Sequence, residues 1–97
     1  MYDIEFTQDA QDDLAWFSRR EQNIILDGIR SNLRYEPTLI TLQQHPCRDD
    51  STKIADWELR IGPYRVYYDV DEVILIVDVQ RIGAKPNNVP FFRGRRE

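Results

Sequence analysis

The sequence predicts an α+β fold in which an N-terminal strand and a two-helix hairpin pack on a small, antiparallel-rich β-sheet. Three features carry that expectation. A short alternating segment opens the chain, two capped segments of helical period follow it, and three apolar and aromatic segments separated by turn residues fill most of the second half.

The opening segment, YDIEF from Tyr2 to Phe6, alternates apolar and acidic residues with period two, as a half-buried strand does. Thr7 is placed to cap a first helix, with Asp9 in its first turn and Ala10, Leu14 and Phe17 at helical spacing. Ser18 and Glu21 then form an S-x-x-E capping box that starts a second helix, whose Ile25, Leu26, Ile29 and Leu33 share one face before Pro37 closes the pair. The stretch from Glu36 to Ala55 has two prolines and weak periodicity, and it exceeds the ~12–15 residues usual for a structureless loop, so TLITLQ is expected to form a short strand or a helical turn. Strands are expected over Asp56–Ile61, Tyr64–Val70 and Val73–Ile82, joined by Gly62-Pro63 and by Asp71-Glu72.

Composition bounds the rest. The 97 residues are expected to form one domain, 1–97, with a single core. Hydrophobic residues at 41% and charged residues at 31% match a globular chain, and no apolar run approaches the ~20 residues of a membrane span. The N-terminus is acidic where a secretory leader is basic and then apolar, so a cytoplasmic protein with no membrane partner is expected. A single cysteine, Cys47, forms no internal disulfide, and no His/Cys spacing calls for zinc; neither a metal nor another cofactor is expected. The net charge of −4 is unevenly spread: residues 1–52 carry ten acids against five arginines, whereas from Arg81 onward five basic residues face Glu97 alone. The acidic total weakens a nucleic-acid reading, but a local basic face can still hold a polyanion.

A two-residue turn at Gly62-Pro63 sets Ile61 opposite Tyr64, Leu59 opposite Val66 and Trp57 opposite Tyr68 on a core face. The same register puts Arg60 opposite Arg65, Glu58 opposite Tyr67 and Asp56 opposite Asp69 on the other face, and a turn at Asp71-Glu72 extends it to Val66 with Val77 and Arg65 with Asp78. Like charges directly opposed disfavour a sheet. Two readings follow: the arginines splay into solvent beside Glu58 and Asp78, or two guanidiniums converge on a phosphate, whose geometry suits their planar fork.

The run WELRIGPYRVYYDVDEVILIVDVQRIGAK, together with the strand, helix pair, loop and strand order, resembles the RelE/ParE toxin superfamily over nearly the whole chain. The resemblance implies a RelE-like fold and a toxin of a type II toxin–antitoxin pair, most often a ribosome-dependent endoribonuclease that cleaves mRNA and is neutralised by a cognate antitoxin in a hetero-oligomer. By position, Arg65 matches the arginine that contacts the scissile phosphate, Lys85 the basic residue at the end of the last strand, and Phe91 a tyrosine that stacks on a base. Asp56 and Glu58 stand where RelE toxins of the Escherichia type carry lysines, a departure that removes positive charge from the presumed active face.

Cleavage of RNA by its own 2′-hydroxyl needs a base, charge stabilisation and a leaving-group proton. Arg65 and Arg60 are the candidates for charge stabilisation, Lys85 for the leaving group and Glu58 for the base, with Tyr67, Arg81, Phe91 and Arg93 as RNA-binding candidates. Phe91 and Phe92 with RGRR either clamp single-stranded RNA or close the core beside a basic end. His45, the sole histidine, lies in the long loop with nothing in the sequence to place it near the sheet, and is expected to be a solvent-exposed bystander. Two other functions fit the same residues: a ParE-like inhibitor that binds DNA gyrase without catalysis, and an attenuated relative whose sheet face holds an antitoxin peptide.

Overall fold

The computed structural model describes residues 1–47, 54–85 and 91–96. Strand β1 (Asp3–Phe6) leads into helices α1 (Gln8–Trp16) and α2 (Arg19–Leu33), followed by strands β2 (Gln44–Pro46), β3 (Trp57–Ile61), β4 (Tyr64–Asp71), β5 (Ile76–Ala84), β6 (Phe91–Phe92) and β7 (Arg95–Arg96). The seven strands form one mixed sheet in the order β2-β3-β4-β5-β6-β7, with β1 added parallel to β5.

Both helix starts follow the sequence. The Thr7 side chain accepts the Ala10 N–H, and Ser18 and Glu21 make the full capping box. The Glu21 carboxylate also accepts the Tyr64 hydroxyl at 2.9 Å, and Phe17 meets the Tyr64 ring edge-on at 5.5 Å, so the junction between the helices is pinned to the start of β4. Ala10, Phe17, Ile25, Ile29 and Leu33 cover a sheet face of Leu59, Val66, Tyr68, Val77, Val79 and Ile82, all buried. Each such aliphatic side chain contributes on the order of 1.5–3 kcal/mol by leaving water.

The expected register of β3 on β4 holds from Trp57 opposite Tyr68 to Ile61 opposite Tyr64, with Gly62 at φ 56° in the first central position of the turn. The next connection differs. Asp71-Glu72 is not a two-residue turn: the Asp71 carboxylate accepts the N–H groups of Val73 and Ile74, Leu75 takes φ 58°, and β5 begins at Ile76. Val66 therefore faces Ile82 rather than Val77, and Arg65 faces Gly83 rather than Asp78. A bulge beside Tyr67 and Tyr68 shifts parity by one residue, which is how Val77, Val79 and Ile82 all reach the core. TLITLQ forms neither strand nor helix; the strand lies just after it at Gln44–Pro46, on the free edge of β3. The rest of the long loop, 48–53, lies outside the described residues.

On its outer edge β5 pairs with β1 along Ile76–Val79 and with β6 at Ala84, leaving a gap between them. Thr7 and Asp13 fill it. The Thr7 hydroxyl donates to the Gln80 carbonyl at 2.8 Å, and the Ile82 N–H donates to Asp13 Oδ2 at 3.0 Å, so side chains complete what no strand reaches. Asp13 is fully buried and also accepts from Arg81 Nε and Arg93 Nε, each at 2.7 Å, which ties α1 to β5 and to the β6–β7 hairpin.

Two outcomes follow from these contacts. Asp13→Ala removes the acceptor of one buried N–H and two guanidiniums, and urea unfolding should show a loss of about 3 kcal/mol, the lower end for a broken buried pair because both arginines reach solvent; an unchanged midpoint contradicts that role. The Ser18 N–H first, then the Ser18 and Tyr64 hydroxyls, hold the Glu21 carboxyl below its ordinary 4.5. A folded pKa below the unfolded one gives stability that is present above 4.5 and lost as pH falls through the lowered value. Acid unfolding monitored by circular dichroism should thus lose part of its pH dependence in Glu21→Gln, and superimposable curves contradict this.

Candidate functional site

The sheet face turned away from the helices is where β3 and β4 set Glu58, Arg65 and Tyr67, because these alternate with Leu59, Val66 and Tyr68 of the core. Glu58 is the centre of the arrangement. Its side chain is 7% exposed, with His45 Nε2 at 3.4 Å and Arg65 Nε at 3.9 Å from Oε1, and Lys85 Nζ at 3.5 Å from Oε2. Each neighbour comes from a different element. His45 is opposite Glu58 on β2, Arg65 lies on β4, and Lys85 follows β5 with its N–H on the Pro63 carbonyl.

Arg65 is held before any ligand arrives. Its Nη1 donates to the carbonyls of Gly62 and Tyr64 at 2.7 and 2.8 Å, while its shielded Nε has no hydrogen-bond partner among the described residues. Opposite it stands Gly83, where an added Cβ would strike the Phe91 carbonyl, so only glycine lets β6 close against β5 at this level. Tyr67 lies under the cluster; burial, then the charge of Glu58 and a hydrogen bond to it, push its hydroxyl pKa far above the usual phenol range. Cations this close together are sustained by the carboxylate between them. A groove of about 500 Å³ lies elsewhere, between β1 and α2, and its Arg30 and Arg34 take no part in the cluster.

The expected residues separate into two groups. Arg65, Lys85 and Glu58 come together, and Arg60 faces Arg65 in register; Arg60 is exposed, however, while Arg65 is folded down onto the turn, so the two guanidiniums are not equivalent arms of one clamp. Tyr67 cannot offer its ring to a base: it is 5% exposed and packs on Phe92 at 5.7 Å in a second apolar cluster with Ala55. Arg81 has its guanidinium on Asp13 and over the Phe92 ring at 4.2 Å, and Arg93 is bound to Asp13 and Asp9, so both serve the fold. Of the aromatic pair Phe92 closes the second cluster, whereas Phe91, half-buried and in line with Ala84 and Tyr64, lies on the opposite face from Arg65 and is not the base-stacking residue the sequence suggested. His45 is the residue the sequence reading misplaced. It is not a bystander: its ring nitrogens face the Glu58 carboxylate and the Pro46 carbonyl.

The same architecture occurs in solved structures. The RelBE2 toxin–antitoxin complex of Mycobacterium tuberculosis superposes with a TM-score of 0.71 at 24% identity, covering 86% of this chain and 96% of that one. The chain has the RelE fold. The archaeal RelE–RelB complex of Pyrococcus horikoshii matches at TM-score 0.61 and 18% identity over 89% of this chain and 97% of that one. For the intact RelBE complex of E. coli the values are 0.52 and 16%, over 90% and 100%. The sequence matches no family model and no curated protein. On this RelE fold the Glu58 cluster sits beside the β3–β4 turn, and the described residues hold no grouping of side chains fit for a metal ion.

Glu58 offsets the positive charge of Arg65 and Lys85. Glu58→Ala should therefore tighten binding of a single-stranded RNA oligomer in fluorescence polarisation and steepen its log Kd against log salt dependence by roughly 0.7, the increment for one more phosphate contact on a single strand. Weaker binding with a shallower slope contradicts this balance.

Proposed function

We propose that this chain is the toxin of a type II toxin–antitoxin pair and an endoribonuclease that cleaves mRNA on the ribosome. One observation carries the reading: Arg65, Lys85 and His45 converge on Glu58 on the sheet face away from the helices. The RelE fold supports it, since the matching structures are RelBE-type toxin–antitoxin complexes.

The chemistry divides among these groups. Arg65, fixed by the turn carbonyls, and Lys85 hold the scissile phosphate and stabilise the charge that grows on it. Glu58 has His45, Lys85 and Arg65 at 3.4–3.9 Å, beyond the 2.7–2.9 Å or so of a tight charge-assisted bond, which leaves its oxygens able to take the 2′-hydroxyl proton. Arg60 adds charge at the rim, while Phe91, in line with Ala84 and Tyr64, lies on the other face of the sheet and takes no part. A cognate antitoxin neutralises the protein in the cytoplasm by covering this face. Asp56 lies exposed at the margin, one acid where the resemblance called for a base.

Expression of the wild-type chain should arrest growth and produce cleaved message on purified ribosomes. Arg65→Ala should abolish both while retaining the wild-type far-ultraviolet spectrum. Intact message on ribosomes together with trapped gyrase–DNA complexes would instead favour the non-catalytic gyrase inhibitor, and harmless strong expression the antitoxin-binding relative.

A further inference from the structure

His45 offers a second proton-handling group within the same cluster. It is paired with Glu58 across β2 and β3, and its side chain is 32% exposed against 7% for Glu58, so of the two it is the one more open to solvent. Nε2 is 3.4 Å from Glu58 Oε1, and Nδ1 is 3.1 Å from the Pro46 carbonyl. Both ring nitrogens thus face oxygens that can only accept. A neutral imidazole has one N–H and satisfies one of them; an imidazolium donates to both. Other charged or titratable groups around the pair include Arg65 and Tyr67 from β4, Lys85 after β5, and Cys47, which packs against Tyr67.

We infer that His45 is a catalytic residue: as an imidazolium it donates the proton that the leaving 5′-oxygen requires, and Glu58 afterwards restores that proton. The inference rests on the RNA-cleavage reading and deepens it. In the step, the 2′-hydroxyl proton passes to Glu58, the 2′-oxygen bonds to phosphorus, the bond from phosphorus to the 5′-oxygen breaks, and that oxygen takes the Nε2 proton of His45. The products are a 2′,3′-cyclic phosphate and a 5′-hydroxyl, with Glu58 protonated and His45 neutral. In-line displacement sets base and acid on opposite sides of phosphorus, so the phosphate enters between Oε1 and Nε2; once the product leaves, the 3.4 Å contact re-forms and the proton returns from Oε1 to Nε2, which resets both groups. Lys85 is left to neutralise phosphate charge rather than to act as the acid.

The test uses single-turnover cleavage of message on purified ribosomes across pH, with His45→Ala and His45→Gln beside the wild type. Affinity for a non-cleavable 2′-deoxy message is measured in parallel. Both variants should bind like wild type and cleave about 10²–10⁴-fold more slowly. The wild-type rate should fall as pH rises, because the acid must carry its proton; both variants should lack that limb, and added imidazole should restore rate to His45→Ala. Cleavage at the wild-type rate, or slow cleavage with the limb retained and no rescue, overturns the role of His45 while the RNA-cleavage reading stands. Loss of binding in both variants assigns His45 to the structure and overturns the role as well. A wild-type chain that leaves message intact overturns both.

Discussion

A single carboxylate governs the exposed half of this molecule. Glu58 is nearly enclosed, and around it stand an imidazole, a guanidinium and an ammonium from three further segments of the chain. Gathering Arg65 and Lys85 at one place is unfavourable unless a negative charge lies between them, and burying that charge is unfavourable unless cations surround it. Each makes the other tolerable. The turn at Gly62-Pro63 supplies the rigidity, since its carbonyls hold one end of Arg65 and Pro63 receives the N–H of Lys85. Backbone and side chain thus fix the same two cations independently.

The other half depends on Asp13. A parallel β1 and a short β6 share the outer edge of β5 without meeting, and the carboxylate closes the interval by accepting a strand N–H directly. Because it also engages Arg81 and Arg93, the basic C-terminal segment is bent back onto α1. The sequence count of net positive charge after Arg81 therefore overstates the charge open to a polyanion on this side. That charge is available instead around Arg65, Lys85 and Arg60.

Local rules made much of the fold readable. Thr7, Ser18 and Glu21 mark helix starts by hydrogen bonds made within a few residues, and Gly62-Pro63 sets a register that the alternation of Trp57 to Tyr68 confirms. What escaped depends on distance along the chain. The acceptor for Arg81 is 68 residues away and that for Arg93 is 80, so nothing near either residue marks it as structural. The bulge at Tyr67 and Tyr68 and the loop closed by Asp71 leave no two-residue turn signal, and the alternation around Val77 and Val79 fits several registers. That Arg65 and Glu58 share one sheet face was legible through the hairpin, and Lys85 was added by the resemblance. His45 was not placed there, because a three-residue strand with a proline carries too weak a pattern to be set beside Glu58.

The most direct test is to locate a bound phosphodiester. Titration of the isotopically labelled protein with a non-cleavable dinucleotide, followed by nuclear magnetic resonance, should shift the Arg65 Nε–H and the His45 ring signals together, with Lys85 moving in parallel. Shifts confined to the groove between β1 and α2, or to the β6–β7 hairpin, with Arg65 and His45 unmoved, would contradict the account.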